Sequence, residues 1–461
     1  MGFDVQGYLR SLKRFGMKPG LERIQAILGR LGNPEAAFPA VHIAGTNGKG
    51  SVAATTASIL RAAGYRVGMF TSPHLIQYHE RIQVDGEPIP DEALQRIFER
   101  VAGAAAAVRD ELGSDPTEFE VGTAAAFLYF QEAGVDLAVV EVGLGGRLDS
   151  TNVVQTQAAA ITPISYDHMA VLGSTLPSIA REKAGILKPG VPAVIAPQCP
   201  EAASVLAEVA RDLPCPLVWV NEEGGGGREE GAGMEDALHR ASFQGTGEIA
   251  TYTVLGWSGE GGRFHLKTPS RRYFELFTPL LGYHQVQNAA VAVTLVEALA
   301  EAGFAVSESQ VRAGLASVRW PGRLELFPGN PAILLDGVHN PAGAEVLALA
   351  LSRLFPGVRP VFLFALTGAK DPAEVFGPLA PFARAVVATR PASSRVLAVD
   401  PEALLECARD LGVPASAAPS AQEALERAKE LAGQEGMVCV CGSLYLVGEV
   451  RGLLVAAGLG S

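Results

Sequence analysis

"HIAGTNGKGSV", residues 42–52, sets three glycines, a lysine and a serine between an apolar run and an alanine-rich one. Ahead of it, "PAVHIAG" is a short apolar run with the branching of a buried strand. Behind it, "SVAATTASILRAAG" has the length and composition of a helix. A strand that ends in glycines and feeds a helix presents unpaired backbone N–H groups at the helix start, where the macrodipole is positive. In "GTNGKGS" the glycines let the backbone approach phosphate oxygens closely. Lys49 can reach the β- and γ-phosphates, and the hydroxyl of Ser51 can face Mg²⁺. Asn47, Gly48 and Gly50 complete this candidate ATP cradle. The spacing departs from the strict P-loop, because Gly50 separates the lysine from the serine and Ile43 stands where the first glycine is expected. A tight strand–helix turn carrying a solvated lysine is the alternative.

Working outward, strand and helix alternate. "YRVGMFTS", "VDLAVVEVG", "QAAAITPIS" and "VPAVIAP" read as further short strands bounded by Gly, Pro and polar residues. Such runs, spaced by helical segments, predict a mostly parallel sheet covered on both faces. A second series follows "SVRWPGRLELF": "AILLDGVHNP", a helix from Ala342 to Leu354, "PVFLFALTG", "ARAVVATRP" and "GMVCVCGSLYLVGEV". The expectation is an α/β protein with a large P-loop ATPase domain over 1–318, a hinge at 319–323 around Pro321 and Gly322, and a smaller Rossmann-like α/β domain over 324–461. "NEEGGGGREEGAGMED" (221–236) reads as a mobile surface loop.

The composition narrows the function. Hydrophobic residues at 48% with only 7% aromatics describe a soluble globular chain with an Ala/Val/Leu interior. A net charge of −12, with its basic residues scattered, argues against a nucleic-acid surface. Five cysteines, one pair spaced C-x-C, match neither a disulfide framework nor a zinc site, so reduced core thiols in a cytoplasm are expected. "MGFDVQGYLRSLKRFG" lacks a signal-peptide core, and no run reaches the ~18 apolar residues of a membrane span.

"EVGLGGRLDSTN" (141–152) offers a rival glycine cluster, but it lacks the full G-x-G-x-x-G of a dinucleotide fingerprint and does not continue as an apolar helix. Glu141, at the carboxyl end of a parallel strand, lies where such sheets bind ligands and is a natural Mg²⁺ ligand beside a nucleotide.

Taken in order, "GTNGKGS", "FTSPHL", "HERI", "PTEFE", "EVGLGGRLDSTNV", "ITPISYDHMAVLGSTLPSIAREKAGILK", "GYHQVQNA", "WPGRLE", "DGVHNP" and "CGSLYLVGEV" resemble the folylpolyglutamate synthase/dihydrofolate synthase family of the Mur ligase superfamily. The resemblance runs from about residue 18 to 451 and is weakest over 221–248. It implies ATP-dependent addition of L-glutamate to folate, with dihydropteroate as a further acceptor or, as the alternative, folate as the sole one. A carboxylate is a poor electrophile, so phosphoryl transfer from ATP first makes an acyl phosphate that the glutamate amine attacks. That chemistry needs positioning and charge neutralisation more than protein nucleophiles.

Residue by residue, the resemblance makes Ser72 a Mg²⁺ ligand with Ser51 and Glu141, although a serine before proline is commonly a turn cap. It assigns His168 to a second metal ion; imidazole is not the usual Mg²⁺ partner. It implies that Lys183 is carbamylated by CO₂, which would turn a cation into an anionic oxygen donor and requires a neutral amine. On spacing alone Lys183 is a solvated or ion-paired helix lysine. Asn288 is implied as the adenine contact, Arg323 as a phosphate contact and Asp336 as a ribose or phosphate contact. His339 and Ser443 resemble residues needed for glutamate addition. For the pterin, Thr117, Glu118 and Glu120 offer polar handles and Phe119 a stacking face, although Phe119 suits a core equally. Leu148, Asp149 and Ser150, beside Arg147, form a second candidate wall. Arg81 is a further contact for an anionic substrate, with a surface salt bridge the simpler account.

The resemblance also implies K⁺ dependence, two Mg²⁺ sites, a monomer, and no nucleic-acid or membrane partner. Three alternatives stand beside it: a cell-wall Mur ligase, against which "PTEFE" speaks; a non-catalytic nucleotide-binding regulator; and an NAD-dependent oxidoreductase resting on "GLGGR".

Overall fold

The structure, a computed structural model, describes residues 2–12, 19–223, 247–368, 370–394 and 397–460. The Gly/Glu-rich stretch read from the sequence as a surface loop lies outside the described residues after position 223.

Two sheets organise the chain. The larger contains β1 (Pro39–Ala44), β2 (Val67–Phe70), β3 (Ile82–Val84), β4 (Glu87–Pro88), β5 (Leu137–Glu141), β6 (Gln155–Ile161), β7 (Ala193–Ile195), β8 (Leu217–Glu222), β9 (Glu248–Ser258), β10 (Gly261–Lys267) and β11 (Arg272–Thr278). Their order is β11-β10-β9-β8-β7-β6-β1-β5-β2-β3-β4. From β9 through β2 every pairing is parallel, while β10 and β11 at one edge and β3 and β4 at the other are antiparallel. The smaller sheet holds β12 (Glu325–Phe327), β13 (Ala332–Leu335), β14 (Val361–Phe364), β15 (Ala385–Ala388), β16 (Ala415–Ala417) and β17 (Met437–Cys441), in the order β12-β13-β17-β14-β15-β16. Only β12 runs antiparallel there.

Alternation along the central strands explains the layers. Val41 and Ile43 of β1, with Leu137 and Val139 of β5, face the helices Lys49–Ala62 and Tyr283–Ala298. Ala40 of β1, with Ala138 and Val140 of β5, faces the helices Glu22–Arg30, Asp91–Leu112 and Glu118–Ala133. A strand covered on both faces carries no polar alternation, which is why these runs read as continuous apolar segments. The helix Lys49–Ala62 is buried from Ser51 through Leu60, wedged between sheet and helix; its alanines allow that close approach. Each fully buried Ile or Leu there contributes about 1.5–3 kcal/mol.

Of the cysteines, Cys215, Cys439 and Cys441 are buried free thiols and Cys199 and Cys407 are half-buried free thiols, as expected of core residues. No helix among the described residues is long and apolar enough to cross a membrane.

Candidate active site

The carboxyl ends of parallel strands from both sheets meet at one place, as ligand sites in open α/β sheets do. From the large sheet, β1 leads into residues 45–48, β2 into Thr71 and Ser72, β5 ends at Glu141, and β6 leads into Asp167 and His168. From the small sheet, β13 leads into Asp336–Asn340 and β17 into Gly442 and Ser443.

The cradle is built by backbone geometry. Gly48 caps the helix Lys49–Ala62 in the left-handed region at φ 90°, where a side chain is strained. A Cβ there would also lie 2.6 Å from Asn288 Oδ1. The amides of Thr46 and Asn47 donate to Pro163 O at 3.0 and 3.3 Å, pinning the loop to the end of β6. The first turn of the helix keeps the N–H groups that a helix start leaves without intrahelical partners. The unusual Gly50 has a physical cause: the Trp320 ring covers it, and a Cβ would lie 2.7 Å from Trp320 Cζ2. Trp320 belongs to "WPGR", where the sequence pointed to a hinge and to Arg323 as a phosphate contact; the contact of Trp320 itself with the cradle was missed.

Charge is concentrated beneath this loop. Lys49 Nζ donates to Thr46 O at 3.2 Å and stands 4.0 Å from Glu141 Oε1. The Ser72 amide donates to Glu141 Oε2 at 3.0 Å. Burial pushes the Glu141 carboxyl up, opposed by Lys49 and the Ser72 amide. A buried carboxylate of this kind is stabilised by a further cation. The Glu141 carboxylate and the hydroxyls of Ser51 and Ser72 are hard oxygens of the type Mg²⁺ takes alongside phosphates and water. Among the described residues no group of three or more His, Cys, Asp or Glu converges on a metal position.

Lys183 is not the solvated helix lysine that its spacing suggests. It is buried, and its Nζ donates to Gly45 O at 2.6 Å, directly under the cradle. Burial and then the charge of Lys49 bring its ammonium down to about 7. The other lysine of "REKAGILK", Lys188, instead donates to Asn152 Oδ1 at 2.8 Å.

A polar network joins the two sheets. Asn47 and Asn340 exchange amide bonds: Asn47 Nδ2 donates to Asn340 Oδ1 at 3.3 Å, and Asn340 Nδ2 donates back to Asn47 Oδ1 at 3.0 Å. Asn340 Nδ2 also donates to Asp167 Oδ2 at 3.2 Å, and Asn340 Oδ1 caps the helix Pro341–Leu354 through Gly343 N at 2.9 Å. His339 Nε2 stands 3.6 Å from Asp167 Oδ2, and Lys370 Nζ donates to His339 O at 2.6 Å. Burial would raise the Asp167 carboxyl, but the bond and charge of His339, with His168 and Lys370, outweigh it and hold the group far below its usual range. His168 itself is exposed, with φ 51°, and its Nε2 lies 3.9 Å from Asp167 Oδ1. Asp167, Asn340 and Lys370 were absent from the sequence reading. Asp167 was within reach of it, as the residue before His168 in "YDHM"; Lys370 carries no local signal.

Asp336 is buried with both oxygens accepting backbone amides, Leu324 N and Val338 N, each at 2.9 Å. It therefore ties the segment after the hinge to the end of β13. Arg323 Nη1 donates to Gly322 O at 3.1 Å and crowds Gly337, where a Cβ would lie 2.0 Å from it. Ser443 starts the helix Leu444–Ala456; its Oγ is buried and has no hydrogen-bond partner among the described residues.

The candidate pterin wall is reassigned in part. Thr117 and Glu120 spend their polar atoms on each other in a capping box, with Thr117 N donating to Glu120 Oε2 at 2.7 Å and Arg23 Nε 2.9 Å from Glu120 Oε1. They shape the helix Glu118–Ala133 instead of standing as free handles. Glu118 is half-buried in its first turn. Phe119 is half-buried, 5.9 Å from the Phe70 ring, and lies over Gly143, where a Cβ would meet it at 2.4 Å. Asp149 folds its own loop, accepting from Leu144 N at 2.8 Å and Thr151 N at 3.0 Å; Ser150 is buried, and Leu148 half-buried. Arg147 pairs with Glu182 at 2.8 Å. Arg81 is not at the surface: it is buried, donates to His74 Nδ1 at 2.9 Å and lies 4.9 Å from the Tyr78 ring centre.

Comparison with known proteins gives a consistent result. The model of the Mur ligase middle domain matches residues 43–296, and that of the dihydrofolate synthetase C-terminal domain matches residues 325–454. The chain is 40% identical over 364 residues to the dihydrofolate synthase/folylpolyglutamate synthase of Bacillus subtilis, covering 78% of this chain and 79% of that one. It is 34% identical over 456 residues to the folylpolyglutamate synthase of Lacticaseibacillus casei, covering 98% of each. Among solved structures it is similar to Mycobacterium tuberculosis folylpolyglutamate synthase complexed with ADP, with a TM-score of 0.84, 33% identity and 97% coverage of each chain.

Proposed function

The chain belongs to the folylpolyglutamate synthase/dihydrofolate synthase family and is an ATP-dependent ligase that forms C–N bonds, and from that premise we propose that it joins L-glutamate to both folate and dihydropteroate. The division of labour proposed is an ATPase unit over 1–318, a hinge at 319–323 and a glutamate-ligase unit over 324–461.

In this reading the N–H groups of the helix starting at Lys49, with Lys49 itself, hold the triphosphate. Arg323 and Asp336 approach from the far side of the hinge, and Asn288 contacts adenine. When bound, Mg²⁺ neutralises phosphate charge during transfer to the folate carboxylate. Ser51, Ser72 and Glu141 would hold one ion, and His168 with a Lys183 carbamate a second. Support for the carbamate is that the Lys183 amine is buried beside Lys49, which favours the neutral, CO₂-reactive form. His339 and Ser443 would orient the incoming glutamate, and the acyl phosphate is protected because residues from both sheets exclude water. Phe119, Leu148 and Ser150 would line the pterin face, with Arg81 addressing its anionic tail. A monomer, K⁺ dependence and a cytoplasmic location complete the proposal.

The observation that carries it is the reciprocal Asn47–Asn340 pair tied to Asp167. It binds the phosphate loop to the strand ends of the other sheet, an arrangement suited to bringing a third substrate against an activated carboxylate. The test is purified protein with Mg-ATP and labelled glutamate, offered dihydropteroate or tetrahydrofolate in parallel. Label incorporation with both acceptors is expected. Phosphate release with neither, but with a uridine-diphosphate sugar peptide, would move the chain to the cell-wall branch.

A further inference from the structure

The helix Leu444–Ala456 carries glycines at 448 and 452, one turn apart, and the two differ in what surrounds them. A glycine inside a helix forgoes the stability that alanine would bring, so it calls for a reason. Gly452 shows none: among the described residues nothing lies within 4 Å of the Cβ an alanine would place there. Gly448 is buried, and its Cβ would lie 1.9 Å from Leu75 O, 2.7 Å from Leu75 C and 3.2 Å from Leu75 Cα. These are backbone atoms, so no rotamer change can make room. Leu75 follows β2 of the larger sheet, yet its side chain packs against the core beside the smaller sheet. Its methyl carbons also approach Gly322 of the hinge turn, at 3.1 and 3.3 Å from where a Cβ would stand.

The helix is not free to slide away from this contact. Arg451 Nε donates to Glu325 Oε1 and Oε2 at 3.1 and 2.9 Å, and Glu325 Oε2 accepts from Gly322 N at 2.8 Å, which fixes the helix to the hinge turn. The loop on the other side is stiff as well. The Glu80 carboxylate accepts from the amides of Leu75, Ile76 and Gln77 at 2.7, 2.9 and 2.7 Å, and Thr71 N donates to Arg81 O at 3.1 Å, closing the loop at its base. Ser72 and Arg81 therefore move with Leu75, and Ser443, at the start of the helix, moves with Gly448. We propose that the Leu75–Gly448 contact is the seat on which the layers of the two sheets meet, and that it sets Ser72 and Arg81 in register with Ser443, so that Leu75 and Gly448 are positioning residues for ligation. Close-packed backbone against backbone transmits a displacement and does not absorb it. The inference rests on the reading that the loop from Thr71 to Arg81 serves the active site.

The experiment compares wild-type enzyme with Gly448→Ala, Leu75→Ala and the control Gly452→Ala, in steady-state ligation and in amide hydrogen exchange over residues 71–77. Gly448→Ala is expected to lower kcat by about 10–100-fold with KM for ATP changed much less, because the cradle is untouched while groups carried by the two sheets lose register. The Ser72 amide, held by Glu141 at 3.0 Å, should exchange about 10-fold faster as the loop is lifted off that carboxylate. Leu75→Ala only trims a half-buried loop side chain, and should move both readouts the same way by a smaller factor. If Gly448→Ala does not fold, Leu75→Ala alone decides. Gly452→Ala should leave both readouts at wild-type values. A merely structural contact would lower Tm in Gly448→Ala and leave kcat and loop exchange alone; that outcome overturns the inference, as does a Gly452→Ala variant that loses as much activity as Gly448→Ala. Ser72→Ala separates the premise from the inference. Wild-type kcat in Ser72→Ala would bring down the reading of the loop and the inference with it, whereas a loss in Ser72→Ala beside an intact Gly448→Ala overturns the inference alone.

Discussion

Replacing Gly50 with alanine tests whether Trp320 and the phosphate loop form one mechanical unit. The added Cβ would stand 2.7 Å from Trp320 Cζ2 and 3.1 Å from both Cε2 and Nε1. Carbon pairs rest at about 3.5–4.0 Å, so ring and helix start must separate by about 1 Å. Overpacking of this kind costs about 1–3 kcal/mol, whereas alanine in place of a helical glycine returns about 1 kcal/mol. The net change is a loss of about 0–2 kcal/mol, a modest fall in Tm. Catalysis should suffer far more. Trp320 precedes the turn that carries Arg323, and a misplacement of about 1 Å among groups that position a transferring phosphoryl can cost about 10²-fold. Gly50→Ala is therefore expected to keep its cooperative thermal transition while kcat/KM for ATP falls by about 10–100-fold. Trimming the ring in a Gly50→Ala/Trp320→Leu double variant should make the two losses less than additive. Wild-type KM and kcat in Gly50→Ala would refute the contact, and strictly additive losses would place the obstruction somewhere other than Trp320.

Lys183→Ala should lose most turnover, with partial recovery in bicarbonate plus short-chain carboxylates; ¹³C-bicarbonate should give wild-type protein, and not the variant, a carbamate resonance. Full activity in the variant would remove Lys183 from the mechanism. Glu141→Gln should weaken Mg²⁺ activation of turnover by about 10–100-fold, measured by titrating the metal at saturating ATP, because the carboxylate beside Lys49 is gone; an unchanged titration would sink its role as ligand. Burial, reinforced by Lys188, holds the His42 imidazole down at about 3. Below pH ~6.5 the unfolded chain takes up a proton that folded His42 refuses, so stability falls as pH drops, by about 1.4 kcal/mol per unit. Between pH 8 and 5 the wild-type denaturant midpoint should therefore fall more than that of His42→Gln, by about 2 kcal/mol of stability; parallel curves for the two proteins would contradict it.

The parallel α/β character, the glycine-rich turn at Gly48–Ser51 and Glu141 at a strand end were legible in the residues alone, because each is written in local requirements. A helix cap at φ 90° asks for glycine, and strands buried on both faces ask for unbroken apolar runs. The family motifs extended that reading to His339, Asn288 and Lys183, but not to what surrounds them. It took the folded chain to bury Lys183 against Gly45 O across 138 positions, and to bring Asn340 to Asn47 across 293. Folding likewise turned Thr117 and Glu120 into a cap held by Arg23, and drew Arg81 inside against Tyr78. The physical reason is the same in each case. A charge or amide acquires its chemistry from the dielectric and partners around it, and those are supplied by segments remote in the chain that only folding brings near.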